Sequence, residues 1–151
     1  MTTILVDSEV GFMAADRMVT DNECGVAIPC ETKIYRVGGY LAAFSGMEGS
    51  AEYFMDWLKT GDWDDPPEPI YDIHPEDEFG AILLGEDGIW VADKFCRPTP
   101  INYRYYASGS GGQFAWAVLE AGCGVETAME VAIKMDPNSG VGDEVVYFVD
   151  E

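Results

Sequence analysis

Short apolar runs separated by turn residues set the pattern of this chain. Residues 3–6, which hold Ile4, Leu5 and Val6, and residues 10–15 (Val-Gly-Phe-Met-Ala-Ala) flank Asp7, Ser8 and Glu9 and predict a β-hairpin. Residues 19–32 are polar and irregular, with Asp21, Asn22 and Pro29. A second hairpin is predicted from 33–37 and 40–45 around Gly38-Gly39. A third comes from 79–84 and 88–93 around Glu86, Asp87 and Gly88. In between, the period changes: Ala51, Phe54, Met55 and Leu58 share one helical face, with Ser50 as N-cap and Gly61 just past the end. A strand at 103–108 runs into "GSGG", and a helix at 111–121 is stopped by Gly122 and Gly124. A further helix runs to residue 135 with Ala128, Val131, Ala132 and Met135 on one face, and "EVVYFVD" (144–150) closes as a strand. Hairpin-joined strands imply antiparallel sheets with helices packed outside them. No repeat or linker divides the chain, so 1–151 reads as one domain.

Composition fits a folded chain, at 48% hydrophobic and 13% aromatic residues. The net charge of −20, from 28 acidic and 8 basic residues, changes the picture more. It argues against binding nucleic acid or an anionic membrane, both of which need a basic footprint. A solvated acidic surface is the favoured reading, and an acidic mimic of nucleic acid the lesser one. Cys24, Cys30, Cys96 and Cys123 are scattered, and no secretory segment precedes them, which predicts free thiols in the reducing cytoplasm. His74 is the sole histidine and no C-x-x-C occurs, so no metal site is expected. The Pro-rich acidic stretch 62–78 lacks any ordered calcium-loop spacing and reads as a solvated loop. No apolar run reaches membrane-spanning length.

Several residues carry possible chemistry. "ASGSGGQF" (107–114) has Phe114 where a dinucleotide fingerprint needs glycine, so it reads as a strand-to-helix turn with Ser110 as cap. Lys33 opens an apolar strand in a lysine-poor chain, and a strand-edge lysine ordinarily faces solvent. Asp16 ends the second strand, and "DPNSG" (136–140) follows the last helix, where it reads as a terminating turn. The N-terminus is the odd feature. Termini are usually frayed, yet here Thr2 and Thr3 lead straight into an apolar strand.

Taken in order, "TTILV" at 2–6, "AADR" at 14–17, "KIYRV" at 33–37, "AAFSGM" at 42–47, "GSGG" at 109–112 and "DPNSG" at 136–140 resemble the proteasome β-subunit and bacterial HslV family of N-terminal nucleophile hydrolases. The resemblance extends over nearly the whole chain. It implies an α+β fold, a four-layer αββα sandwich of two mainly antiparallel sheets flanked by helices. It also implies peptide-bond hydrolysis by an N-terminal threonine. By position, Thr2 matches the nucleophile after loss of Met1, Lys33 the catalytic lysine and Asp16 its carboxylate partner. Ser110, Asp136 and Ser139 match the polar shell near the amine, and Gly46 the oxyanion-hole glycine. Val19 and Ser45 match the first specificity pocket, which would suit a neutral side chain. The implied partners are a peptide or unfolded-protein substrate, a homo-oligomeric ring and an ATP-driven unfoldase; no cofactor is implied.

The chemistry is coherent on its own terms. A threonine hydroxyl is a poor nucleophile and needs an adjacent base. A free α-amine titrates at about 7.7–8.0, near working pH, and a lysine cation nearby lowers it further. Three features depart from the family pattern. The first hairpin is about two residues short, an even change that keeps strand parity. Met47 follows Gly46 where a second glycine is common. Pro66, Pro67, Pro69 and Pro75 fall where the family has its second helix, which leaves ring contacts and unfoldase docking open. Two other functions stay in play: a non-catalytic shell or scaffold protein of the same fold, and a small-molecule amidase. Fold alone licenses none of these.

Overall fold

The continuous apolar runs fold as strands covered on both faces, which is why they do not alternate cleanly with polar residues. The computed structural model describes residues 3–20, 27–29, 32–46, 48–69, 79–136, 139–140 and 142–148, and the side chains of 19–20, 27–29, 46 and 48–50 lie outside that description. One sheet has the order β10-β1-β2-β11, built from β1 (Ile4–Asp7), β2 (Phe12–Asp16), β10 (Tyr105–Ser108) and β11 (Asp143–Tyr147). A second runs β5-β6-β7-β8-β9: β5 (Ile34–Val37), β6 (Tyr40–Gly46), β7 (Phe79–Gly85), β8 (Gly88–Ala92) and β9 (Thr99–Ile101). All these pairings are antiparallel. A small ribbon joins β3 (Met18–Thr20) to β4 (Ala27–Pro29).

Parity along each strand assigns its side chains to layers. Ile4, Val6, Met13 and Ala15 from the first sheet meet Ile34, Leu41, Ala43, Ile82 and Leu84 from the second in a central core. The opposite faces turn outward. Leu5, Phe12 and Ala14 pack on α2 (Gly112–Glu120) and α3 (Val125–Met135) through Ala115, Leu119, Ala128, Met129 and Ala132. Ala42, Ala81 and Leu83 pack on α1 (Glu48–Thr60) through Phe54, Trp57 and Leu58. The layers are therefore helix, sheet, sheet, helix: the expected αββα sandwich. Fully burying one such side chain contributes about 1.5–3 kcal/mol.

Differences from the sequence reading are local. Ser50 is not the N-cap of α1, which already begins at Glu48, four residues after Phe44 in the preceding strand. Strands β3, β4 and β9 were not expected. Each has three residues, and β9 holds Pro100, tolerated because β9 is an edge strand. Residues 61–69 contain no helix, as the prolines predicted, and the rest of that stretch, 70–78, lies outside the described residues. The segment is packed rather than merely solvated. The Trp57 indole N–H lies 3.0 Å from the Asp62 carbonyl and 2.8 Å from that of Asp65. Trp63 stacks on Tyr40 and meets Trp90 edge-on. Gly38 makes its turn possible: at φ +59, a Cβ there would run into the Leu58 carbonyl.

Candidate active site

β1 is an inner strand, hydrogen-bonded to β10 on one side and β2 on the other. That explains the anchored terminus. The residue before β1, Thr3, is completely buried. Its N–H donates to Asp16 Oδ1 at 2.9 Å, and the Asp16 N–H donates back to the Thr3 carbonyl at 3.1 Å.

The same end of the sandwich collects the N-terminus of β5 and the C-terminus of β6, because Ile34 pairs with Ala43. Lys33, just ahead of β5, sends its ammonium to Asp16 Oδ1 at 2.8 Å. It does not face solvent: its side chain is 11% exposed and that of Asp16 is 0%. Asp16 Oδ2 accepts the Gly140 N–H at 3.2 Å. One buried carboxylate thus receives two backbone amides and a cation, and its desolvation is offset by charge-assisted hydrogen bonds.

A second carboxylate lies on the far side of Thr3. Asp136, which follows α3, accepts from Ser110 Oγ and Ser139 Oγ on its Oδ2, each at 2.6 Å. Ser139 Oγ is also 2.7 Å from Thr3 Oγ1. A carboxylate only accepts and a serine has one proton, so the order of donation follows: Thr3 hydroxyl to Ser139, Ser139 to Asp136. Among the described residues no buried side-chain nitrogen or oxygen lacks a partner.

Five of the predicted residues, Asp16, Lys33, Ser110, Asp136 and Ser139, therefore converge on Thr3, although they come from four parts of the chain. Ser110 corrects the earlier reading, since α2 starts from Gly111 with no side-chain cap and the Ser110 hydroxyl goes to Asp136 instead. Gly46 and the half-buried Ser45 end β6, opposite Phe79 and Gly80, at the same end of the sheet as Lys33. Val19 pairs with Ile28 in the ribbon, and its side chain lies outside the described residues. Thr2 and Met1 also lie outside them.

Sequence reasoning missed two members of this network. Thr3 holds the network together, and the tandem threonines were its only signal. Gly111 is the other: a Cβ there would overlap Thr3 Oγ1 and come within 3.2 Å of Asp136 Oδ2. The need for glycine at that position is steric, not conformational. Among the described residues no group of His, Cys, Asp and Glu is arranged to hold a metal ion, and no helix is long and apolar enough to cross a membrane.

Two facing antiparallel sheets between helix layers give this chain the fold of HslV and BPH. Three solved structures give the particular likeness. HslV from Trypanosoma brucei superposes with a TM-score of 0.70 over 96% of this chain and 98% of its own, at 21% identity. BPH from Thiobacillus denitrificans gives 0.68 over the full length of both chains at 16% identity. Its complex with epoxomicin gives 0.67 over 99% and 100%, at 17% identity. No protein-family profile matches the chain, and no curated protein does. The likeness is one of fold.

Proposed function

We propose that the chain is an N-terminal threonine hydrolase that cleaves peptide bonds through an acyl-enzyme, with Thr2 as nucleophile once Met1 is removed. One observation carries the reading: Thr3 is held by its N–H on Asp16 and by its hydroxyl on Ser139, with the Lys33 ammonium on the same Asp16 oxygen. The Thr3 hydroxyl is committed inward as a donor, so it is an anchor and not a nucleophile. The residue it anchors is Thr2.

In this reading the free amine of Thr2 takes the proton of its own hydroxyl, and the Thr2 oxygen attacks the scissile carbonyl. Lys33 keeps the amine unprotonated near neutral pH by like-charge repulsion, and Asp16 orients Lys33 through the 2.8 Å contact to its ammonium. Ser110, Ser139 and Asp136 form the polar shell of the amine. The Gly46 N–H stabilises the tetrahedral oxyanion, a role where a single donor is worth roughly 3 kcal/mol. The amine then returns its proton to the departing amino group, and water hydrolyses the ester. No cofactor enters. Val19 and Ser45 line the first specificity pocket and suit a neutral side chain. The working form is a cytoplasmic homo-oligomeric ring of single-domain subunits acting on peptides or unfolded proteins, with an ATP-driven unfoldase as feeding partner.

Intact mass after expression with native aminopeptidase, followed by treatment with epoxomicin, tests the core of this. Loss of Met1 and an adduct on Thr2 are expected, and Thr2→Ala abolishes both the adduct and peptidase activity. A retained Met1, or an unmodified wild type, sinks the catalytic reading. A non-catalytic shell protein would then assemble equally well as Thr2→Ala.

A further inference from the structure

Glu144 takes no part in the chemistry above, yet it reaches the catalytic end of the sandwich. It lies on β11, opposite Ala15 and therefore one register position from Asp16. Its carboxylate does not point to bulk solvent: the side chain is only 10% exposed. Oε1 accepts the backbone N–H of Lys33 at 2.6 Å and sits 2.9 Å from the Thr32 hydroxyl. Oε2 lies 4.0 Å from the Arg17 guanidinium. The Arg17 main chain is held in place, since its N–H is shared between the carbonyls of Gly140 and Gly142.

The contact crosses from one sheet to the other. The β5–β6 ladder starts at the Ile34–Ala43 pair, so Lys33 lies just outside it. Glu144 supplies a partner for that amide from the opposite sheet. Lys33 is thereby tied twice to the β2–β11 pair: its ammonium to Asp16 on β2, and its main chain to Glu144 on β11. A lysine side chain has a flexible four-carbon stem, and the position of its charge is only as definite as the backbone that carries it. We propose that Glu144 is a positioning residue that fixes the main chain of Lys33 and so sets where the Lys33 ammonium stands relative to Asp16 and the Thr2 amine.

This inference rests on the proposed role of Lys33, and the test separates the two. Full-length wild type is compared with Glu144→Ala, Glu144→Asp and Glu144→Gln. Gln keeps a carbonyl oxygen at the right reach, whereas Asp keeps the charge but falls short by one methylene. The Lys33 amide is expected to exchange with solvent about tenfold faster or more in the Ala and Asp variants, and near the wild-type rate in the Gln variant. Turnover of a peptide substrate is expected to fall about tenfold in the Ala and Asp variants with KM little changed, and to recover in the Gln variant. A general loss of sheet packing would instead lower the melting temperature of all three and would not follow reach. Unchanged Lys33 exchange in the Asp variant overturns the inference, as does a Gln variant as impaired as the Ala one. If wild-type Thr2 forms no adduct, the hydrolase reading fails, while exchange at Lys33 still decides whether Glu144 holds that backbone.

Discussion

The hairpin of β1 and β2 carries a buried carboxylate at each end, and the two ends are built differently. Asp7, 3% exposed, closes the turn. Its Oδ1 accepts the N–H groups of Glu9 and Val10 at 2.9 and 3.1 Å, and the Arg104 guanidinium grips both oxygens at 3.0 and 3.1 Å. Hydrogen bonding to Asp7, above all, raises the Arg104 pKa above its ordinary value. Asp16, at 0%, holds an ammonium instead of a fork, together with the amides of Thr3 and Gly140. Two of the Asp7 partners are two and three residues away, whereas the Asp16 partners are 13, 17 and 124 away. One end is a locally encoded turn with a planar clamp. The other is a meeting point for distant segments around a point charge. The difference teaches where chemistry can sit. A bidentate guanidinium locks one geometry, while an ammonium beside a carboxylate leaves a charge that can act on a third group.

The largest expected break in this comparison is Asp16→Ala. It strands the buried Lys33 cation and two amides, so a loss of about 3–5 kcal/mol is expected in urea unfolding, with loss of any Thr2 adduct. Asp7→Ala orphans the two turn amides and should cost about 1–3 kcal/mol while leaving the adduct intact. Equal losses of stability and reactivity at the two ends would erase the distinction. Next in size is Gly111→Ala, whose methyl group overlaps the Thr3 hydroxyl. Overpacking of this kind costs about 1–3 kcal/mol. Thr3→Ala in the same chain should relieve part of it, and a double-mutant cycle with no coupling would mean that Gly111 and Thr3 do not press on each other.

The smallest effect sets the lower limit of the comparison. Glu120 is a surface carboxylate held by the Tyr103 hydroxyl and the Trp116 indole. Those bonds, Tyr103 first, lower its pKa below the ordinary 4.5. A depressed carboxyl contributes stability above its unfolded value, and that contribution is lost as the pH falls through the folded one. Tyr103→Phe should therefore lower the midpoint slightly at neutral pH and leave it unchanged in acid, so that stability falls less steeply below about pH 4.5. Thermal melts across that range measure it, and a large neutral-pH shift would show that this surface pair matters as much as the buried ones.

Much of the sandwich was legible in the sequence because both faces of β1, β2, β6 and β7 are covered, which leaves long apolar runs between clear turns. The runs that failed to show were three-residue strands, whose stability comes from an existing neighbour: Pro100 of β9 lies beside Trp90 only because β8 is already in place. The site was legible in part through its resemblance to a known family, never through spacing. Ser110 looked like a helix cap because a serine before a helix usually is one, and only the proximity of Asp136 redirects its hydroxyl.

By itself, the sequence determined the order of the longer strands and the helices, the net acidic charge, the breaking of any helix at residues 61–69 and the short first hairpin, because each depends on composition or on residues near one another along the chain. Tertiary structure decided the rest. It made Thr3 an anchor, took Lys33 out of solvent, required glycine at 111 and brought Glu144 across from the other sheet. The physical reason is one of range. A buried polar group is satisfied by whatever the packing of layers brings within 3 Å, and nothing in the local sequence records which distant segment that will be.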